Sequence, residues 1–180
     1  MKNSAGFSFI EVLVALVILA SGILGAVAMQ TTAKKGSFDA MQRSMASALA
    51  QDIIERMRNN DIDQLANYAG TYGAGNFAQG NNCDTPANLC SPVNIRIRDQ
   101  YEWEQKLIGS DTKSGNVNAG GLSSASGCIN HNNNAVTVVV SWEGRTEVAD
   151  GADAGIGAVS SNCGTASGTR RQVIIQAFIF

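Results

Sequence analysis

The stretch Gly6-Phe7-Ser8-Phe9-Ile10-Glu11-Val12-Leu13-Val14-Ala15-Leu16 opens an apolar run that continues to Met29. A helix rises about 1.5 Å per residue, so about 20 apolar residues cross the ~30 Å hydrocarbon layer of a bilayer. We therefore predict a membrane-spanning helix over 7–29. Glu11 is the one charged residue in this run. Because a carboxylate is costly in hydrocarbon, its presence there indicates a function and a cationic partner.

The junction at Gly6 resembles the class III signal of type IV prepilins and pseudopilins. It combines a basic leader over 1–6, the Gly6–Phe7 junction, a following serine, and Glu11 as the fifth residue after the glycine. The resemblance implies that a prepilin peptidase cuts after Gly6 and methylates the new amine of Phe7. It also implies an assembly role for Glu11. Its carboxylate would neutralise the amine of a neighbouring subunit, since neither charge is tolerable alone in apolar surroundings.

Three other interpretations compete with this one. Ala26-Val27-Ala28 fits the cleavage pattern of an ordinary secretory signal, but the apolar region would then contain Glu11 and exceed the usual length. A plain membrane anchor leaves Glu11 unexplained. A buried core helix is disfavoured by the length of the apolar run.

The helix is predicted to continue without a break, so that residues 7–58 form one element. Its first half contains Gly22 and Gly25, which permit close helix packing or local softening. In its second half, apolar side chains recur at steps of three and four and predict one buried stripe. The stripe consists of Phe38, Met41, Met45, Ala48, Leu49, Ile53 and Met57. Such a stripe packs on the sheet of its own domain more often than on a coiled-coil partner.

The 180 residues allow one globular domain beyond the anchor. The net charge of −2 argues against nucleic-acid binding by bulk electrostatics. No C-x-x-C pair occurs among the four cysteines, and His131 is the single histidine, so the pattern does not indicate a zinc site. No cofactor is expected.

All four cysteines follow the anchor, which indicates disulfides if this part of the chain lies outside the cytoplasm. Four cysteines allow three pairings. We predict Cys83–Cys90, which are close within one loop, and Cys128–Cys163, which would hold the loop over 144–169 against the sheet. Basic residues flank the apolar run on both sides, so the positive-inside rule does not fix the orientation.

The middle of the chain is mostly rich in glycine and asparagine. Residues 60–92 read as a connection with a short helical turn at Ile62–Tyr68. Residues 93–98 fit both a strand and a helix. We favour a helix over 95–108, in which Trp103 is a packing anchor.

The second half of the chain predicts a small antiparallel sheet. Residues 127–131 and 135–142 form a hairpin around Asn132-Asn133-Asn134, with Val136, Val138 and Val140 on one face. Residues 171–180 are predicted to be a buried strand that is paired within the sheet. The expected fold class is α+β, in which a long N-terminal helix packs on the sheet, and the family resemblance implies that this is a type IV pilin-like fold.

Several stretches resemble PilV-type minor pilins more closely. The resemblance covers the N-terminal third well and the rest thinly. It implies a minor pilin that takes part in initiating or priming a type IV pilus, or in its tip complex. The stretches are Phe9–Leu19, Gly22–Gly25 with Met29-Gln30, Ala48–Asn60, Asp99 with Glu102-Trp103, Gly127–Ile129, and Val136–Val138 leading to Ser141-Trp142.

The family resemblance also implies a location and a set of partners. Residues 1–6 are the leader, 7–29 the membrane and filament-core half of the helix, and 30–180 a periplasmic domain. The subunit would lie in the inner membrane with a single span and then in the pilus at the cell surface. Partners would be the prepilin peptidase, the major and other minor pilins through the N-terminal helix, the inner-membrane assembly platform and a large tip adhesin.

A pseudopilin of a type II secretion system has the same N-terminal features and is the alternative function. A secreted protein with an ordinary signal peptide is a more remote alternative. We find no catalytic constellation and predict no enzyme: His131 stands alone among polar loop residues, and the glycine run at 151–157 lacks a strand-to-helix junction. No metal site is predicted, since Asp150 and Asp153 lack the fuller ligand pattern of a calcium loop.

Overall fold

Helix α1 spans Phe9–Arg58 and is the long helix expected from the sequence. The computed structural model describes residues 6, 8–82, 89–152 and 157–180, so Phe7 lies outside the described residues. Arg56 and Arg58 occupy the last turn, where the negative end of the helix dipole favours cations. The chain divides into two compact units, residues 1–38 and 39–180, and α1 contributes to both.

The part of α1 in the second unit buries one face, although that face differs from the predicted stripe. The buried residues are Gln42, Ala46, Leu49, Ala50, Ile53, Ile54 and Met57. Met41 is 53% exposed, and Ala48 is also exposed. The stripe prediction was therefore only partly correct. Gln42 replaces Met41 on the buried face because its side-chain carbonyl accepts from the Ser123 N–H at 3.2 Å, which satisfies the polar group.

The main sheet has four antiparallel strands in the order β1-β4-β5-β6. Strand β4 (Ser126–Asn132) and β5 (Ala135–Glu143) form the predicted hairpin, and β6 (Arg170–Phe178) pairs along the whole of β5. Strand β1 (Gly70–Tyr72) pairs with β4 at the other side. His131 lies on β4 opposite Val136, so it belongs to the predicted strand and is not a loop residue.

Two apolar clusters lie on opposite faces of β5. Val136, Val138 and Val140 face the main core, which also contains Leu49 and Ile53 of α1. Val173, Ile175 and Ala177 of β6 pack against this core and stay partly exposed. On the opposite face, Val139 packs with Cys128, Cys163, Val159 and Ile174. The helix-on-sheet core is therefore the predicted one, with Met45 only partly buried at its margin.

Helix α2 spans Pro92–Ile108 and begins three residues before the predicted start. Ser91 caps it, since its hydroxyl accepts from the Asn94 N–H at 3.4 Å, and Pro92 fits the first turn. The strand alternative for 93–98 is therefore wrong. Gly109 ends the helix with φ 68°, and a Cβ there would overlap the carbonyl of Gly120.

Trp103 of α2 is the packing anchor that the sequence indicated. It is fully buried, its indole N–H donates to the Leu49 carbonyl at 2.8 Å, and its ring meets that of Tyr72 edge-on at 4.9 Å. A Cβ on Gly127 would lie 2.4 Å from the Trp103 ring, so glycine lets β4 approach the indole.

Several short elements were missed in regions that read as loops. They are β1 in the 60–92 connection, a hairpin of β2 (Lys113–Ser114) with β3 (Val117–Asn118) in the 109–127 loop, and helix α3 (Gly157–Ser161) in the 144–169 loop. The predicted turn at 62–68 is a 3-10 helix, Ile62–Tyr68. The last strand ends at Phe178 rather than Phe180, and Phe178 is 59% exposed.

Candidate assembly site

The first turn of α1 holds Glu11. The N–H groups of Glu11 and Val12 donate to the Ser8 carbonyl at 3.0 and 3.3 Å, so the helical hydrogen bonds begin at Ser8. This places the Glu11 carboxylate at the end of the helix where the dipole favours a negative charge. The side chain is exposed and has no ion pair or side-chain hydrogen bond within the described residues. Gly6 is also exposed.

Apolar side chains surround Glu11 on the helix surface. Val12, Ala15, Leu16 and Leu19 lie beside it within the next two turns, and every described residue from Ser8 to Ser37 is exposed. Among the described residues, α1 is the one helix long and apolar enough to cross a membrane, by length and composition. The arrangement offers a continuous apolar surface that carries a single carboxylate near its beginning.

The glycines of this segment are not required by packing within the chain. A Cβ added at Gly22, Gly25 or Gly36 would meet no atom within 4 Å. Their backbones are helical, so neither a positive φ nor a close approach inside the chain demands glycine. Glycine lowers helix stability by roughly 0.5–1 kcal/mol relative to alanine and allows close approach of another helix. The first effect acts within the helix, whereas the second concerns contacts with other helices.

The disulfide Cys128–Cys163 fastens the loop before β6 to β4, and it is the pairing predicted from the sequence. The two cysteines have Cα atoms 5.8 Å apart, and both are buried. The closed loop has a sequence separation of 35 residues, and loops of that size stabilise a fold by about 4 kcal/mol in the chain-entropy account. Cys83 lies outside the described residues, so the Cys83–Cys90 bridge stays a prediction.

Arg170 is a second fastening of the same loop that sequence reasoning missed. Its guanidinium donates to both carboxylate oxygens of Asp150 at 2.6 and 2.8 Å, and to the carbonyls of Ser161, Cys163 and Gly164 at 3.1–3.3 Å. The hydrogen bonds that Asp150 accepts, first from Arg170 and then from the Ala152 N–H, hold the pKa of its carboxyl below its usual range. Asp150 is thus an ion-pair partner of the final strand.

Gln172 adds to this fastening from the same strand. Its amide donates to the carbonyls of Ser160 and Cys163 at 2.8 and 2.9 Å and accepts from the Ser160 hydroxyl at 2.6 Å. The signal for these contacts was present in the sequence as Arg170-Arg171-Gln172 at the start of an apolar strand. Polar residues with several donors at a strand end commonly bind neighbouring loops.

A partly buried polar network joins α1, the 3-10 helix and α2. The guanidinium of Arg56 donates to Asp99 and Glu102 at 2.9 Å each, and the Tyr68 hydroxyl donates to Asp99 at 2.7 Å. Burial raises the pKa of Tyr68, which keeps its hydroxyl protonated. Burial likewise raises the pKa of Tyr72 to about 12. The network fixes the end of α1 to the domain.

Potential metal ligands are not clustered among the described residues. No cluster of three histidine, cysteine or acidic residues suitable for a metal occurs there. His131 is a half-buried strand residue flanked by Asn130 and Asn132.

Two protein-family models match the chain in adjacent segments. Residues 1–27 match the prokaryotic N-terminal methylation motif, and residues 28–101 match a model described as Tt1218-like, type IV pilin Tt1218. No curated protein and no solved structure gave a significant match.

Over its N-terminal 101 residues, the chain is therefore similar to type IV pilins. The first segment carries the motif of an N-methylated prepilin, and the second is type IV pilin-like. The α+β fold, with a long apolar N-terminal helix and a small antiparallel sheet, agrees with the type IV pilin fold. Type IV pilins are structural proteins rather than enzymes, and the comparisons support a pilin role for this chain.

Proposed function

We propose that the chain is a minor pilin of the PilV type that acts in initiating or priming a type IV pilus, or in its tip complex. One observation carries this proposal. The apolar half of α1 is fully exposed and holds one carboxylate, Glu11, in its first turn, with no partner among the described residues. A surface of this kind is stable only when lipid or other apolar helices cover it.

Processing after Gly6 would create the partner that Glu11 lacks. The new amine of Phe7 carries a positive charge in apolar surroundings, and so does its methylated form. Between subunits, a Glu11 carboxylate can meet the amine of a neighbouring subunit. Such pairing compensates two charges that are individually costly in a low-dielectric core.

The proposed topology places 7–29 in the inner membrane and 30–180 in the periplasm. Lys34 and Lys35 follow the apolar run at headgroup depth, where lysine side chains extend to the interface. The Cys128–Cys163 disulfide supports an oxidising compartment for the domain. The mature subunit would then enter the pilus, with the major pilin, other minor pilins, the assembly platform and a tip adhesin as partners.

The first test follows processing. N-terminal sequencing and mass spectrometry of the protein from membranes of a piliated host should give a chain that starts at Phe7 with an N-methyl group. Gly6→Ala is the conservative control for the junction itself, because glycine is the residue that the peptidase motif requires. A mature chain that starts at Met29 would contradict the proposal, since it would mean ordinary signal cleavage.

The second test follows assembly. Glu11→Gln should insert in the membrane at the wild-type level, because a neutral amide is easier to bury than a carboxylate, yet its amount in sheared pili should fall. Glu11→Asp retains the charge and should recover part of the incorporation. Val14→Ala, in the same exposed segment, keeps the charge and is the matched control, so it should lose less incorporation than Glu11→Gln. Equal incorporation of Glu11→Gln and wild type would argue against charge pairing, and absence of the wild type from sheared pili would favour a pseudopilin.

The proposed Cys83–Cys90 bridge has its own test. Peptide mapping without reduction should recover these two cysteines in one linked peptide pair, separate from the pair that contains Cys128 and Cys163. Recovery of Cys83 joined to either of the other two cysteines would contradict the proposed pairing.

A further inference from the structure

Strand β6 leaves one backbone edge open. The antiparallel register is continuous from Arg170 to Phe178. The N–H of Ile179 donates to the Asn134 carbonyl at 2.9 Å, which turns odd-numbered residues of β6 toward β5. The carbonyl of Arg170 accepts from the Gly151 N–H at 2.9 Å on the other side, so even-numbered residues face away from the sheet.

Among the described residues, the loop that reaches Gly151 covers the start of this edge. A Cβ at Gly151 would lie 2.9 Å from the Gln172 nitrogen, so that loop follows β6 as far as Gln172. Beyond that point, the outward N–H and C=O groups of Ile174, Gln176 and Phe178 have no hydrogen-bond partner in the described part of the chain. Three residues therefore present six unpaired backbone groups in a row.

The edge also lacks the features by which proteins prevent strand addition. No charged residue and no proline occurs from Gln172 to Phe180, although charges, prolines and short length are the usual protections of a sheet edge. The opposite edge, β1, has only three residues. The side chains support the same conclusion, because Val173, Ile175 and Ala177 continue the core and remain partly exposed, while Phe178 is 59% exposed.

We infer that residues 174–178 of β6 bind an extended segment of another polypeptide, which adds a fifth strand to the sheet. The unpaired groups repeat with the spacing of a strand, so the bound segment must be extended. Its residues that face the core side must be apolar at alternate positions, since they would cover Val173, Ile175 and Ala177. It must be uncharged along its central residues, because residues 174–178 of β6 carry no charge.

A second copy of this chain is the less suitable occupant, by an argument that rests on the proposed membrane anchoring. Two β6 edges would pair antiparallel about a two-fold axis perpendicular to the sheet. That axis reverses the direction of the part of α1 that packs on the sheet, so the two chains would enter their domains from opposite sides. Two subunits anchored in one membrane through the residues before Asp39 need the same direction.

The test uses the full chain in detergent micelles and a synthetic peptide, Lys-Thr-Val-Thr-Val-Thr-Val-Thr-Lys, capped at both ends. Hydrogen exchange is measured at single amides. At a peptide concentration of about ten times Kd, exchange at Ile174, Gln176 and Phe178 should slow about tenfold. Exchange at β1 should not change. A peptide with N-methyl groups on alternate amides cannot form the ladder and should have no effect.

Two variants separate backbone recognition from side-chain contact. Gln176→Pro removes one outward N–H without touching the β5 ladder, which an edge strand tolerates, and it should abolish the peptide effect. Gln176→Ala keeps that N–H and should retain it, and melting temperatures check that both variants fold. If Gln176→Pro does not fold, the N-methylated peptide decides the question alone.

Three results would overturn the inference: no slowing at saturating peptide, equal slowing by both peptides, or concentration-dependent protection of these amides without peptide. The last result would identify a second copy as the occupant. None of these results depends on cleavage at Gly6 or on pilus incorporation, so failure here is distinguishable from failure of the proposed function.

Discussion

The two halves of α1 are built from the same element and differ in what covers them. From Phe9 to Ser37 no residue is buried, whereas the half from Asp39 to Arg58 buries seven. The first half thus depends on lipid or on other helices for the burial of its apolar surface, and the second depends on its own sheet. A change in the first half should therefore alter assembly, and a change in the second should alter folding.

Removal of residues 173–180 should have the largest effect, because it should unfold the globular unit and leave the first half of α1 unaffected. It removes most of β6, which pairs along all of β5 and packs three side chains on the core. Domains of this size have about 5–15 kcal/mol of stability in total, so the globular unit should lose cooperative unfolding while the anchor still inserts. Thermal unfolding of the full-length protein in micelles, with protease sensitivity of the membrane-bound form, measures both. Unchanged cooperative melting would mean that β6 is not part of the core.

Equivalent truncations in the two halves of α1 come next in size. Ile53 is fully buried, and Ile53→Ala should lower the free energy of unfolding by about 2–5 kcal/mol, since it leaves a cavity in the core. Leu16 is 55% exposed, and Leu16→Ala should change domain stability by no more than about 0.5 kcal/mol. Denaturant titrations in the same detergent compare the two. Similar losses of unfolding free energy for both variants would mean that the two halves of α1 contribute equally to the stability of the domain.

The features that the sequence predicted are those with strong periodic or local signals. The long helix α1, the β4–β5 hairpin and the inward face of Val136, Val138 and Val140 follow from the length and the period of the apolar stretches. The burial of Trp103 follows from its size among polar neighbours on α2. The Cys128–Cys163 pairing follows from the placement of one cysteine at the hairpin and the other before the last strand.

The features that were missed depend on contacts between distant residues. Gly70-Thr71-Tyr72 has no alternation to indicate a strand, and it becomes β1 only because β4 offers it an edge. The stripe on α1 was displaced because Gln42 has a buried backbone partner, which periodicity does not reveal. In the candidate site, Glu11 was evident from its isolated charge, whereas the open edge of β6 required the sheet order.

Glu104 also lies in the globular unit, and its substitution should lower the free energy of unfolding less than Ile53→Ala does. This fully buried carboxylate accepts from the backbone N–H groups of Gly73 at 2.9 Å and Phe77 at 3.1 Å. In Glu104→Gln one of these donors would face an amide NH2 group, so the free energy of unfolding should fall by about 1–3 kcal/mol.

The stacking of Phe77 on Tyr72, with centroids 4.5 Å apart, should also loosen. Glu147→Gln changes the same charge at an exposed position and is the control, with an effect within about 0.5 kcal/mol. Chemical denaturation gives the free energies, and near-ultraviolet circular dichroism reports the aromatic pair. Equal stability of the two variants would indicate that the hydrogen bonds from Gly73 and Phe77 to the Glu104 carboxylate do not stabilise the fold.

The smallest expected effect lies at Asp39, where the globular unit begins. Its carboxylate accepts from the Arg145 N–H at 3.0 Å and the Thr146 hydroxyl at 2.8 Å, and Arg171 holds the Thr146 carbonyl at 2.6 Å. The hydrogen bond from the Arg145 backbone is the main cause that lowers the pKa of Asp39 below its ordinary value. A carboxyl with a depressed folded-state pKa contributes stability above its unfolded pKa and loses it as pH falls through the folded value.

The contribution of Asp39 should therefore be complete above about pH 4 and should disappear below that. Because the group is largely solvated, it should amount to less than about 1 kcal/mol. Asp39→Asn should remove this part of the pH dependence below about pH 4, whereas Asp111→Asn, on an exposed loop, serves as the charge-matched control. Urea titrations across that range measure the difference, and hydrogen exchange at Arg145 reports the contact directly. If Asp39→Asn and wild type lose stability in parallel as the pH falls, the contact at the start of the globular unit does not stabilise it.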